Sequence, residues 1–340
     1  MTMTKRERFM NFLQNKPVDR VPVAFFHHFV EAPEWGTGLE NADAFERNVM
    51  GHKYALEKFD PDVAKIMNDT LMIMPLDTSF VEKASDLRNV VPPAVDSAYG
   101  KKTRELTERV LEIYKDCDAP VYSTGFSPYI VLRTSLSGLD VGTVSDQKPL
   151  FLQYLEEDPD SVVAALDKIA DGIIALNEML IKECGVDGIY FSVNNQAQYI
   201  PDELYAKYVA PSDKKVMAAA NKLSNMNLLH ICGYHGLSNT LELFKDYEAA
   251  AYNIAVYAEG VSLSDGKKLF GGKPVFGGYA QDTIIYKGTK EEVKEAAFKI
   301  LDECGQVGVM LGDDCTVPND IDDTRLEWVR EAAIEYAEKH

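Results

Sequence analysis

Two stretches, ECGVDGIYF from Glu183 to Phe191 and ECGQVGVML from Glu303 to Leu311, share one local design. Each closes a helical stretch with Glu-Cys-Gly and then runs into a short apolar strand. The first helix carries Val162, Val163, Leu166, Ile169, Ile173, Leu176 and Leu180 at helical spacing, and the second opens on the capping pair Thr289 and Glu292. Glycine at a helix C-terminus permits the left-handed turn that sends the chain back towards a sheet. A helix-to-strand unit that recurs in this way is what a barrel of parallel strands and helices is built from.

Outward from these units, short apolar runs alternate with longer helix-period stretches, so the sheet is expected to be parallel. Eight strands are predicted, near residues 21–26, 63–67, 120–123, 187–193, 227–231, 252–256, 274–277 and 308–311. Eight closes a (β/α)8, or TIM, barrel of the α/β class. Ahead of it, Thr4 and Glu7 have capping-box spacing, Phe9, Phe12 and Leu13 share a helix face, and Pro17 ends the segment, giving an N-terminal helical extension. No Ser/Gly-rich linker or low-complexity tract divides the chain, so residues 1–340 read as a single barrel domain. The region from Thr70 to Asp118 exceeds a simple crossover and is expected to hold helices and a hairpin turning at Gly100.

Composition narrows the class of function. Apolar residues make up 46% and charged residues 26% of the chain, and no stretch is long and apolar enough to span a membrane. Met1 to Arg8 is polar and charged, with no signal-peptide core behind it, and five cysteines form an odd, dispersed set. Both features predict reduced thiols and a cytoplasmic location. With 54 acidic against 35 basic side chains, the formal charge of −19 predicts repulsion from nucleic acid and from anionic membrane surfaces.

The predicted strand around LLHICG places His230 and Cys232 at its C-terminal end, two residues apart and therefore on one face. That end of a barrel strand is where catalytic residues gather. Cys315 comes 83 positions after Cys232, in the loop directly after the last strand, and opens onto the same mouth. Imidazole and thiolate are preferred zinc ligands, and three protein ligands leave one coordination position open. The wide spacing is unlike that of a zinc finger. The alternative is that both cysteines and the histidine are packing residues, as Cys117, Cys184 and Cys304 are read to be.

Other residues are ranked by how closely they follow a strand. Asp69 follows the second strand, as a catalytic carboxylate or as a helix cap. Asn194, Asn195 and Gln196 follow the fourth and offer neutral hydrogen bonds to a ligand, or make a turn. Of His27 and His28 after the first strand, alternation lets one face the mouth, and His27 is taken as the ligand-binding one. His235 stands near the proposed metal, as a binding residue behind its ligands or as a solvent-facing side chain. Glu259, beyond the sixth strand, is a fourth metal ligand or a solvated loop charge.

With these residues in view, the chain resembles the superfamily that joins uroporphyrinogen decarboxylases to corrinoid-dependent methyltransferases. The likeness begins with TKRERFMNFLQNKPVDRVPV, continues through YVAPSDKKVM and LLHICG, and ends with KGTKEEV and the Cys315 loop. The resemblance implies the (β/α)8 barrel. In the decarboxylase branch an arginine-rich stretch follows the first strand, whereas this chain reads FFHHFVEAPEWG. Asp69 matches that branch's catalytic aspartate, while its tyrosine falls near Thr134.

The methyltransferase branch, similar to methylcobalamin:coenzyme M methyltransferase, has a His-x-Cys pair and a distant Cys as zinc ligands, which His230, Cys232 and Cys315 match. Its acidic fourth ligand aligns with Ala258, beside Glu259. This branch implies zinc as cofactor, methylcobalamin on a partner corrinoid protein as donor, and a small thiol as methyl acceptor. The alternatives are a decarboxylase of uroporphyrinogen or another multiply carboxylated ring, and a non-catalytic barrel that binds a tetrapyrrole or a metal.

Overall fold

The strands β1 (Val23–Ala24), β2 (Ala64–Ile66), β3 (Val121–Phe126), β4 (Gly188–Val193), β5 (Leu228–Ile231), β6 (Ala251–Ile254), β7 (Val275–Tyr279) and β8 (Val309–Asp313) form one parallel sheet in order β1-β8-β7-β6-β5-β4-β3-β2. The computed structural model describes residues 2–138, 148–196, 198–233 and 237–340. Each observed strand overlaps its predicted segment, and helices between strands complete a (β/α)8 barrel. The two Glu-Cys-Gly endings behave as read: Gly185 and Gly305 both have positive φ, 91° and 69°, where the chain leaves its helix for β4 or β8.

Strand parity divides the barrel interior into layers. Ala24, Val63, Tyr122, Tyr190, Leu228, Ala251, Phe276 and Met310 belong to one apolar cluster, which helix α1 (Lys5–Leu13) joins through Phe9 and Phe12. The Thr4/Glu7 capping box is formed as predicted. Two residues further along, on the same face, five of these strands place Lys65, Thr124, Ser192, His230 and Asn253. The interior thus changes from apolar to polar towards the C-terminal ends of the strands. A second, larger core of Val, Ile, Leu and aromatic residues lies where the helices pack against the sheet.

β1 and β2, the ends of the strand order, are not joined by a ladder. Two aspartates flanking β2 stitch this seam instead. On one side the Asp62 N–H donates to the Val23 carbonyl (3.1 Å) and the Asp62 carboxylate accepts the Val23 N–H (2.7 Å). On the other, the Asp69 carboxylate accepts the Phe29 N–H (2.6 Å) and meets His28 Nδ1 (2.8 Å).

The expected hairpin at Gly100 is not formed. Gly100 lies in the first turn of a helix, Ala98–Ile113, where its N–H is accepted by the Ser97 hydroxyl. A Cβ at this position would stand 2.2 Å from the Val95 carbonyl oxygen, so the glycine serves a close approach of backbone, not a turn.

The helix Ala42–Lys58 clamps the end of β2. Its Asn48 donates to the Met67 carbonyl and accepts from Thr70, while His52 Nε2 accepts the Met67 N–H (2.9 Å) and His52 Nδ1 donates to the Asn48 carbonyl (2.9 Å). Both ring nitrogens are used in the neutral form, and burial pushes the pKa of His52 down to about 4. Between that value and the ordinary one the unfolded chain takes a proton that the folded chain refuses. Stability from this group is therefore full above about pH 6.5 and falls as pH drops towards 4, by about 3 kcal/mol in all at ~1.4 kcal/mol per unit. The imidazole resonances of His52 should stay in the neutral position from pH 7 to pH 5; a titration midpoint near 6.5 would refute this account.

Among the described residues no helix is long and apolar enough to cross a membrane.

Candidate metal centre

His230 on β5, Cys232 just after it and Cys315 in the loop after β8 each present a ligand atom, and these atoms all lie within 4.8 Å of one another. The two sulfurs are 4.0 Å apart. Zinc–sulfur bonds of about 2.3 Å at a tetrahedral angle place two sulfurs about 3.8 Å apart, so the spacing fits a shared ion.

The chemistry of the histidine also fits. Asn253 Nδ2 donates to the carbonyls of Phe276 (3.1 Å) and Asp313 (3.2 Å), which fixes the amide so that its Oδ1 is an acceptor. That oxygen receives the Tyr190 hydroxyl (2.7 Å) and contacts His230 Nδ1. His230 Nδ1 must therefore carry the proton, leaving the lone pair on Nε2 for a ligand role. The Tyr190 ring stacks on the imidazole, with centroids 5.3 Å apart, and restrains its rotation.

The Cys315 loop is tied down by its neighbours. Asp314 accepts the Gly278 N–H (2.8 Å) and the Tyr257 N–H (3.0 Å), and burial raises its pKa to about 6. Asp313 accepts the Phe26 N–H (3.1 Å), and burial pushes its carboxyl well up against the attraction of Lys65. The hydrogen bond from Cys232 holds the Cys315 thiol below its ordinary range, with His230 adding to the effect, while the same contact raises Cys232. The contact thus favours one thiolate in the pair.

These groups open onto a cavity of about 310 Å³ at the C-terminal ends of the strands. Asp69 and Asn194 line it as expected on the sequence. So does His28, and not His27: the chain directs His27 to Asp323, with Nε2 3.3 Å from Oδ1, while His28 meets Asp69 beside the Trp35 ring. The choice of His27 is corrected on this point; alternation allowed one of the pair to face the mouth, and the Asp69 carboxylate selects the other.

Asn195 and Gln196 are buried supports. Asn195 bonds to Asn239 and Thr240, and Gln196 donates to the Cys232 carbonyl (3.0 Å). Glu259 stands outside the three-ligand cluster. Its carboxylate accepts both the backbone N–H and the side-chain amide of Asn239 (2.7 Å each), and burial raises its pKa to about 7. Gly233 lets it come close, since a Cβ there would meet Glu259 Oε1 at 2.5 Å. His235 lies outside the described residues.

Sequence reasoning missed Lys65 and Arg133 on the cavity wall, and Asn253 and Tyr190 behind His230. Lys65 is buried, with its Nζ 4.6 Å from the Phe26 ring centroid and 4.4 Å from that of Tyr190, and burial pushes its pKa down. A single lysine inside the apolar run Val63–Met67 was the available signal.

The family described as Uroporphyrinogen decarboxylase (URO-D) matches residues 4–336. The methylcobamide:CoM methyltransferase MtbA of Methanosarcina acetivorans is 29% identical over 178 residues, 52% of this chain and 49% of that protein. The protein of the same name in Methanosarcina mazei is 29% identical over 145 residues, 42% of this chain and 41% of its own length. The chain thus spans about half the length, or less, of these curated relatives. Among solved structures, a methyltransferase from Methanosarcina mazei superposes over 98% of this chain and 99% of its own, with a TM-score of 0.70 and 15% identity. A B12-independent methionine synthase from Shewanella sp. W3-18-1 does so over 94% and 98%, with a TM-score of 0.58 and 14% identity. At such identities the likeness is one of fold.

Proposed function

The chain belongs to the uroporphyrinogen decarboxylase family, and within it we propose that it is a cytoplasmic, zinc-dependent methyltransferase that moves a methyl group from methylcobalamin on a separate corrinoid protein to a small thiol. The observation that carries this reading is the convergence of His230, Cys232 and Cys315 with the imidazole tautomer already set by Asn253. Its relatives named methylcobamide:CoM methyltransferases add support.

Zinc held by these three residues would supply the positive charge that keeps an acceptor thiol ionised at neutral pH. The residues of the chain do the rest. Asp69 fixes His28 through Nδ1, leaving His28 Nε2 as an acceptor for the proton the thiol gives up. The ionised sulfur would then attack the methyl carbon of the donor, which would keep the electron pair of the bond it gives up. Met67, Met72, Ile73 and Phe126 line the cavity and exclude water from the ionised sulfur. Glu259, next to Gly233, is retained as a proposed exchangeable fourth ligand; reaching the ion requires it to leave Asn239. Among the described residues Arg133 is the one arginine on the cavity wall, too few for a ring with many carboxylates, so the decarboxylase reading has the weaker support.

Elemental analysis of the purified protein should find one zinc per chain, and methylcobalamin should be demethylated only when a thiol is added. Protein that binds no zinc, or that decarboxylates uroporphyrinogen, would sink the proposal. Replacing Asn253→Leu removes the acceptor shared by Tyr190 and His230, and zinc affinity is expected to fall about 10- to 100-fold. A competitive chelator titration measures this; unchanged affinity would remove Asn253 from the site.

A further inference from the structure

Arg133 stands apart in a chain whose charge is −19. It lies on the helix Pro128–Ser137, where Ile130, Arg133 and Thr134 share the face that lines the cavity. Its side chain is nine-tenths buried, at 8% exposure, yet it forms no ion pair among the described residues, and its Nε has no hydrogen-bond partner. By contrast Arg6, Arg8, Arg20, Arg47, Arg104 and Arg109 all meet carboxylates.

The guanidinium carbon lies 4.1 Å from the Tyr199 ring centroid and 5.6 Å from that of Tyr129. A ring face stabilises the charge and restrains the guanidinium, but it accepts none of the in-plane N–H bonds. Lys65, also on this wall, differs, because Asp313 lies close enough to offset its charge. A buried cation held by aromatic faces on the wall of a cavity, with no carboxylate beside it, is suited to a flat or tripod anion gripped by two parallel hydrogen bonds.

We propose that Arg133 is the specificity-determining residue for an anionic group on the small molecule that enters this cavity, a carboxylate or a sulfonate. This rests on the reading of the cavity as the acceptor site and adds to it the charge of the acceptor. The acceptor then has a sulfur at one end, directed to the metal centre, and one negative group at the other. A single guanidinium serves a single anion.

The test titrates full-length protein with 3-mercaptopropionate, 2-mercaptoethanol and cysteamine, and with propanoate and ethanesulfonate, which lack sulfur. Wild-type, R133Q and R133K proteins are compared with and without zinc, and binding is followed by NMR. The anionic thiol should bind wild-type protein at least tenfold more tightly than the neutral one, and the cationic thiol most weakly. R133Q should abolish the preference, and R133K should restore part of it. Propanoate or ethanesulfonate should bind zinc-free wild-type protein and not R133Q, an outcome independent of methyl transfer, and the stronger of the two names the anion. Equal affinity for the anionic and neutral thiols in wild-type protein overturns the proposal even if R133Q does not fold, as does a preference that survives in R133Q. Demethylation that proceeds equally with 2-mercaptoethanol would leave the methyltransferase reading in place and remove this one.

Discussion

Cys315→Ser and Cys232→Ser proteins are expected to lose stoichiometric zinc, and with it at least ~10³-fold of the thiol-dependent demethylation rate, a barrier increase of about 4 kcal/mol. His230→Ala should behave alike. The size of the effect follows from the geometry: each residue is one of three ligands, the two sulfurs already stand at 4.0 Å, and serine oxygen is a poorer ligand for zinc than thiolate. Losing any one leaves two protein donors and no preset tetrahedron. The folded fraction, read by circular dichroism, should change little, because the ligands lie at the cavity wall and the apolar layer beneath is untouched. Variants that keep a full complement of zinc, or that lose zinc without losing activity, would show that the cluster is packing alone.

The second large effect concerns stability. Asp62 is fully buried and accepts from Arg8 Nη1 (2.8 Å), from Arg20 Nη1 (2.6 Å) and Nη2 (3.0 Å), and from the Val23 N–H (2.7 Å). Asp62→Ala would leave the buried Arg8 with Asp19 as its one carboxylate and the Met3 carbonyl, Arg20 without its carboxylate and a buried backbone donor with no acceptor. Breaking such a pair from one side costs about 3–5 kcal/mol, and the surviving Arg8–Asp19 contact places the expected loss near 3. Denaturant unfolding should show a lower midpoint with an unchanged slope. Asp62→Asn keeps an acceptor for Val23 and should lose less. An Asp62→Ala midpoint equal to that of the wild type would mean that the seam between β1 and β2 does not depend on this carboxylate.

Much of this architecture was legible in the residues. Strand alternation and the repeated Glu-Cys-Gly endings locate the barrel because the signals are local: parity places side chains on faces, and glycine marks the turn. The same parity predicted that His230 and Cys232 share a face, and the position of Cys315 after the last strand predicted that it meets them. Contacts made over long sequence distances were not legible. Nothing near Gly100 announces that the Val95 carbonyl will approach it, and the period of the surrounding residues did not separate a packed helix from a hairpin.

Position relative to a strand end ranked Asp69 highly but could not show that both of its oxygens are engaged by His28 and the Phe29 N–H. The choice between His27 and His28 was lost for the same reason, since the partner that decides it lies 41 residues away. Asn253 was overlooked as one polar residue in a short strand, although it stands directly opposite His230 in the ladder. Arg133 and Lys65 each carried a signal, a charge inside an apolar run, that length and periodicity leave unread.

The seam gives the ring of strands one join made by side chains instead of a ladder. Counting along the wall from the two unlaced edges, β5 and β6 are the most remote pair, and they carry His230 and the Asn253 that orients it. The segments that bear His28 and Asp69 flank the gap itself, joined across it by side chains and single backbone bonds. The imidazole and the amide that aims it thus sit where the ladder runs unbroken on both sides, and the His28–Asp69 pair where it is interrupted.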